Sequence, residues 1–137
     1  MNKVVHFEVP FDDKKRAHEF YSKVFGWQLQ DMFDGKYTIA RTVAVDEKMV
    51  PKESGAINGG MYNRADGGSK SPVLVIDVHD IDEHIKKILA HGGSVFTPKH
   101  GIGEMGWYAQ VKDTEGNIIG IWQTLKKIVK LFNFPFF

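Results

Sequence analysis

Apolar and polar residues alternate over residues 3–10, KVVHFEVP. Val5, Phe7 and Val9 fall on one side of a strand, and Val4, His6 and Glu8 on the other. A polar pair opposite an apolar line marks a sheet with one face packed and the other turned to a cavity or to water. The period then lengthens. Ala17, Phe20, Tyr21, Val24 and Phe25 recur at helical spacing, behind Asp12 or Asp13 as a cap and ahead of Gly26 as a stop. Residues 27–33 and 36–45 predict two strands about the Asp34-Gly35 turn. A polar loop containing Pro51 follows. Residues 56–63 predict a fourth strand carrying Gly59 and Gly60, and residues 64–71 a polar, glycine-rich linker.

The pattern then starts again. Residues 72–79 read as a strand. Asp80 opens a helix, with Glu83 completing a capping box and Ile81, Ile85, Ile88 and Leu89 as its stripe. Gly92 and Gly93 end it. Residues 94–98 predict a strand, residues 100–106 a loop with three glycines, and residues 107–123 a closing hairpin. At its turn Asp113 accepts backbone hydrogen bonds, Thr114 and Glu115 take the centre, Gly116 supplies a positive φ and Asn117 tolerates the bend. The return strand puts Ile119, Ile121 and Gln123 on one face and Ile118, Gly120 and Trp122 on the other. His6 to Val73 and Gly26 to Gly93 are both steps of 67 residues. The expectation is an α+β fold of two βαβββ modules, residues 1–64 and 72–124. The helices lie outside curved mixed sheets in a single domain, 1–124.

Composition narrows the function classes. The chain has 137 residues, 42% hydrophobic and 26% charged, which suits a soluble domain with a real core. A formal net charge of +1 gives no electrostatic case for nucleic acid. The absence of cysteine removes disulfides, thiolate nucleophiles and cysteine metal sites. No apolar run is long enough to span a membrane, and no signal peptide opens the chain, so a cytoplasmic location is expected. Residues 125–137 form an apolar and basic tail. Leu125, Ile128, Val129 and Leu131 or Phe132 fit a short helix docked on the domain or on a second subunit. Its mixture of lysines and aromatics allows a weak membrane contact but no stable association.

Three features together resemble one superfamily over residues 3–123. They are the order of elements, the helix lettering from Glu19-Phe20-Tyr21 to Phe25-Gly26-Trp27, and the turn Asp113-Thr114-Glu115-Gly116-Asn117. The chain resembles the vicinal oxygen chelate superfamily of glyoxalases, bleomycin-resistance proteins and extradiol dioxygenases. Threonine stands at 114 where that family usually has proline. The resemblance implies paired modules around a central pocket, often with a divalent metal held by histidines and glutamates of the first and last strands. Carried over position by position, His6 matches the first ligand. Gly59 or Gly60, Val73 and Gly120 stand where the other three would be. Glu8 adds a second donor at most, below the three of a usual catalytic site.

The expectation is therefore a small organic molecule bound with no metal and no cofactor. His6 and Glu8 form its polar end. Trp107, Tyr108 and Trp122 form an aromatic wall, Gln110 is a neutral partner, and Gly60 and Gly120 leave open floor. Plainer alternatives stand beside each. His6 would be a hydrogen-bonded histidine lining a wet cavity. Glu8 would be a general base if desolvated, or a carboxylate solvated or paired with Arg41 or a lysine. The aromatics would be core, Gln110 exposed, and the glycines β-bulges. His18, His79, His84, His91 and His100 are expected on the solvated surface. At the level of function this is a glyoxalase/bleomycin-resistance-like binding protein, with no catalytic residue assigned and turnover left open. A metal-dependent lactoylglutathione lyase-like or dioxygenase-like enzyme is one alternative. A drug-sequestering resistance protein is the other, although only Glu8 and Asp77 would supply an acidic pocket. A homodimer follows from the family habit and from the apolar tail.

Overall fold

The computed structural model describes residues 1–125. Its elements run β1 (Val4–Phe11), α1 (Lys14–Phe25), β2 (Gln28–Met32), β3 (Tyr37–Arg41), β4 (Gly59–Asn63), β5 (Val73–Asp77), α2 (Ile81–Ala90), β6 (Ser94–Ile102), β7 (Gly106–Lys112) and β8 (Ile118–Thr124). Each half reads strand, helix, three strands, which is the α+β pattern of two βαβββ modules. Two compact units result. One takes His6–Pro72. The other takes Met1–Val5 and, among the described residues, 73–125.

In the first unit the strands lie in the order β2-β3-β4-β1, with β1 parallel to β4 and the other neighbours antiparallel. Asp13 caps α1 by accepting from Arg16 N at 2.9 Å, and Gly26 ends the helix in the left-handed region at φ 72°. The helix packs through Ala17 and Tyr21 onto a cluster of Phe11, Ala40 and Met61, joined by Phe7, Val9, Trp27 and Leu29. Tyr21 stacks on Trp27 with ring centroids 4.6 Å apart. The rest of the expected stripe stays outside: Phe20, Val24 and Phe25 are 53%, 57% and 60% exposed. Ala17 and Tyr21, one turn apart, make the sheet-facing line. His18 lies beside that line and is not a solvated residue. Its Nε2 meets Thr38 Oγ1 at 2.8 Å, and burial lowers its pKa.

In the second unit the order is β5-β8-β7-β6, with β5 parallel to β8. Asp80 caps α2 by accepting from Glu83 N at 3.1 Å. The helix packs Ile81, Ile85 and Ile88 against Val78, Ala109, Val111 and Ile121. The closing turn forms as its residues dictate: the Asp113 carboxylate accepts from Glu115 N at 2.8 Å, Asn117 N at 2.9 Å and Asn117 Nδ2 at 3.0 Å. Gly116 takes φ 81°. Strand β6 runs on to Ile102, so His100 sits on a strand and not in a loop. The register shifts of this sheet fall there, between Val95 and Thr97 and between Thr97 and His100.

The step of 67 residues survives on the first strand of each module, from Glu8 to Val75, and each of these pairs in parallel with a glycine. Glu8 pairs with Gly60 in one unit and Val75 with Gly120 in the other. The caps keep it too, from Asp13 to Asp80. The tail beyond Leu125 lies outside the described residues.

Candidate functional site

Strand alternation places His6 and Glu8 on the face of β1 opposite Phe7 and Val9, which pack under α1. Both are buried, His6 completely. Between them stands Tyr37 from β3. Its hydroxyl donates to Glu8 Oε2 at 3.0 Å and lies 3.0 Å from His6 Nε2. A phenol has one proton, and here it points at the carboxylate. His6 must then donate its Nε2–H to the Tyr37 oxygen, which fixes the imidazole tautomer. Desolvation by burial pushes the His6 pKa down from 6.5 to about 3, so the ring is neutral in this fold.

Gly60 makes this arrangement possible. It pairs with Ile39 on β3, and Tyr37 is two residues before Ile39 on the same face. A Cβ on Gly60 would fall on the Tyr37 hydroxyl and ring edge. The space at Gly60 is thus filled by a phenol. Gly59 does the same on the other face, where a Cβ would strike the Phe7 ring. The ladder through Gly59 and Gly60 is continuous, so neither is a bulge.

The second unit repeats the device. Gly120 pairs with Gln110, and Tyr108 is two residues before Gln110 on the same face. A Cβ on Gly120 would come 2.7 Å from the Tyr108 hydroxyl. Gln110 Nε2 donates to that hydroxyl at 3.2 Å, and the His100 ring meets Tyr108 edge-on at 5.8 Å. Gln110 is buried, not exposed. Trp122, also fully buried, lies opposite Tyr108 and donates its indole N–H to Thr124 Oγ1 at 2.7 Å. Ile119 and Ile121 pack under α2 instead.

The structure thus brings His6 and Glu8 together around Tyr37, with Gly60 beneath. In the other unit it gathers Tyr108, Gln110, Gly120 and Trp122. Trp107 is not among them. It packs with the cluster under α2, and Lys99 Nζ sits 4.4 Å above its ring. Adjacent strand residues face opposite ways, so Trp107 and Tyr108 cannot share a wall. Asp77, half-buried, has its carboxyl raised by desolvation, against the pull of Lys3 and His79. The Glu8 partner is Tyr37, not Arg41. Sequence reading missed Tyr37. Its signal is a tyrosine two positions from the partner of a strand glycine, and it becomes visible only once the register is known.

These residues do not fit a divalent ion. At Gly60, where the superfamily resemblance puts a carboxylate ligand, a tyrosine hydroxyl stands. It also holds the His6 and Glu8 atoms that would have to turn toward a metal. Among the described residues no three histidine, cysteine, aspartate or glutamate side chains converge on one point. No helix among them is long and apolar enough to cross a membrane.

Comparison with known proteins agrees with this architecture. Residues 3–42 match the family model described as "Bleomycin resistance protein-like N-terminal". The chain is 29% identical over 126 residues to "Putative glyoxylase CFP32" of Mycobacterium tuberculosis and of Mycobacterium bovis, covering 85% of this chain and 43% of theirs. It therefore spans less than half the length of the curated relatives it matches. Methylmalonyl-CoA epimerase from Mycobacterium tuberculosis superposes with a TM-score of 0.61 at 14% identity, over 90% of this chain and 89% of that one. A glyoxalase/bleomycin resistance protein/dioxygenase superfamily member from Vibrio splendidus 12B01 gives 0.59 at 12% identity, over 90% and 99%. A Streptomyces coelicolor methylmalonyl-CoA epimerase variant, solved with 2-nitronate-propionyl-CoA, gives 0.59 at 16% identity, over 90% and 95%. Taken with the repeated βαβββ order, these likenesses show that the chain shares the fold of glyoxalase/bleomycin resistance protein/dioxygenase superfamily structures and is similar in sequence to a bleomycin-resistance-like N-terminal family and to a putative glyoxylase.

Proposed function

We propose that the chain binds a small organic molecule through the polar end formed by His6, Tyr37 and Glu8, without a metal ion. The observation that carries this reading is the Tyr37 hydroxyl, which fills the place of a side chain at Gly60 and bonds both His6 and Glu8. A neutral imidazole, a phenol and a carboxylate in one chain make a site for a polar group on an otherwise apolar molecule. Within the second unit, taken by itself, Tyr108, Gln110, Gly120 and Trp122 are proposed as ligand-binding residues. Trp107 would act only from the helix-facing side. The relatives that carry acyl-CoA compounds support a small-molecule role and do not name the compound. The protein is proposed to be cytoplasmic and to work as a homodimer.

Native mass spectrometry of untagged protein tests this reading. The expected result is a bound organic mass, retained by wild type and weakened in Glu8→Gln and Tyr37→Phe. A bound mass matching zinc or nickel, lost in His6→Ala, would overturn it.

A further inference from the structure

Away from the histidine-tyrosine site, the second unit holds a cavity of about 700 Å³ between α2 and its sheet. Ile76 of β5, Ile119 and Ile121 of β8 and Val111 of β7 form the floor, and they are neighbours in the ladder. Ile88 of α2 forms the roof. Ile76 and Ile119 are only half-buried, so the helix leaves part of this apolar floor uncovered. The volume and apolar lining are those of a small-molecule site.

The rim says what kind of molecule. Its charged side chains are already engaged. The Asp113 carboxylate is spent on three hydrogen bonds within its turn, and Lys112 Nζ lies over the Phe96 ring at 5.5 Å. Two histidines also line it, His84 within α2 and His91 at the C-cap of that helix. His84 Nδ1 lies 3.2 Å from the Asp80 carbonyl, and His91 Nδ1 lies 2.9 Å from the Lys87 carbonyl. A carbonyl oxygen can only accept, so each Nδ1 carries the proton. A ring with its one proton on Nδ1 offers Nε2, on its far side, as a hydrogen-bond acceptor beside an apolar floor.

We propose that this groove is a second binding site, for an uncharged aromatic or alicyclic molecule carrying a single hydroxyl, of the phenol class. The apolar body lies on Ile76, Ile119 and Ile121, and the hydroxyl donates to the imidazole Nε2 of His84 or His91. The site shares no residue with the His6, Tyr37 and Glu8 chain and does not depend on it.

The test is a titration of the full chain at pH 8 with 4-propylphenol and with 4-propylanisole, which has the same body and no donor. Backbone amide spectra and the histidine ring nitrogens are followed. The phenol is expected to saturate, to shift the Nε2 resonance of His84 or His91, and to bind about fivefold more tightly than the anisole, the effect of one hydrogen bond. Ile119→Trp, which fills the floor, should abolish both. His84→Phe and His91→Phe together leave the core untouched and should remove the preference for phenol. Equal binding of the two probes, shifts confined to the His6 strand, or no saturation would each overturn the proposal. So would a sedimentation result showing this groove sealed by a second copy of the chain.

Discussion

The Tyr37 hydroxyl occupies the space where Gly60 would carry a side chain. In the other unit Tyr108 stands in the same relation to Gly120. Both tyrosines sit two residues before the cross-strand partner of the glycine, Ile39 in one case and Gln110 in the other. The repeat thus extends to a device that neither glycine nor tyrosine reveals alone.

Substitution at the two glycines should therefore be felt unequally. Gly60→Ala drives a methyl into the Tyr37 hydroxyl, while the Gly120 contact is looser at 2.7 Å. Gly60→Ala is expected to cost about 1–3 kcal/mol, the usual range for overpacking, and Gly120→Ala less. In a Tyr37→Ala background the Gly60→Ala cost should shrink. Denaturant unfolding of the four variants measures this, and additive costs would count against the contact.

Tyr37→Phe removes the hydroxyl that bonds His6 Nε2 and Glu8 Oε2. Leaving buried polar atoms short of a partner costs about 1–3 kcal/mol. Stability should fall by that order, with the far-ultraviolet spectrum unchanged. A neutral result would mean that the phenol contributes nothing to the polar end.

His6 sets an acid limb. Its folded pKa, about 3, is below the ordinary 6.5, so the unfolded chain takes up a proton that the native state refuses. Stability should be fully present above pH 6.5 and fall as the pH drops from 6.5 toward 3. At about 1.4 kcal/mol per pKa unit the loss is at most about 4–5 kcal/mol. His6→Gln keeps an N–H donor and cannot titrate. Unfolding curves from pH 7 to 4 should show a flatter slope in this variant, and an unchanged slope would contradict the assignment.

Asp113 is shifted in the same direction as His6, by hydrogen bonding and not by burial. Its hydrogen bonds to Asn117 and Glu115 hold its carboxyl below the usual range. The turn's contribution is present above the unfolded carboxylate pKa and disappears as the pH falls through the folded one. Asp113→Ala should lower the melting temperature at pH 7, and its effect should shrink as the pH falls through the folded carboxyl pKa.

Much of this was legible before the structure. Asp13, Asp80 and the Asp113-to-Asn117 turn act through residues close in sequence, so their chemistry could be read directly. Parity on β1 separated His6 and Glu8 from Phe7 and Val9, because alternation is a local property. Grouping Trp107 with Tyr108 ignored that same alternation. Tyr37 was out of reach because cross-strand register is a long-range property. Phe20, Val24 and Phe25 fit a helical stripe but fall outside the narrower line that the sheet accepts. His18, outside the expected stripe, reaches Thr38 on the sheet, a long-range contact that helical spacing does not show.

The metal-free reading of the His6 chain is tested most directly by calorimetric titration of zinc and nickel into untagged wild-type protein and His6→Ala. The account predicts identical isotherms, because any surface histidine binding is common to both. A one-to-one binding event present in wild type and absent from His6→Ala would contradict it.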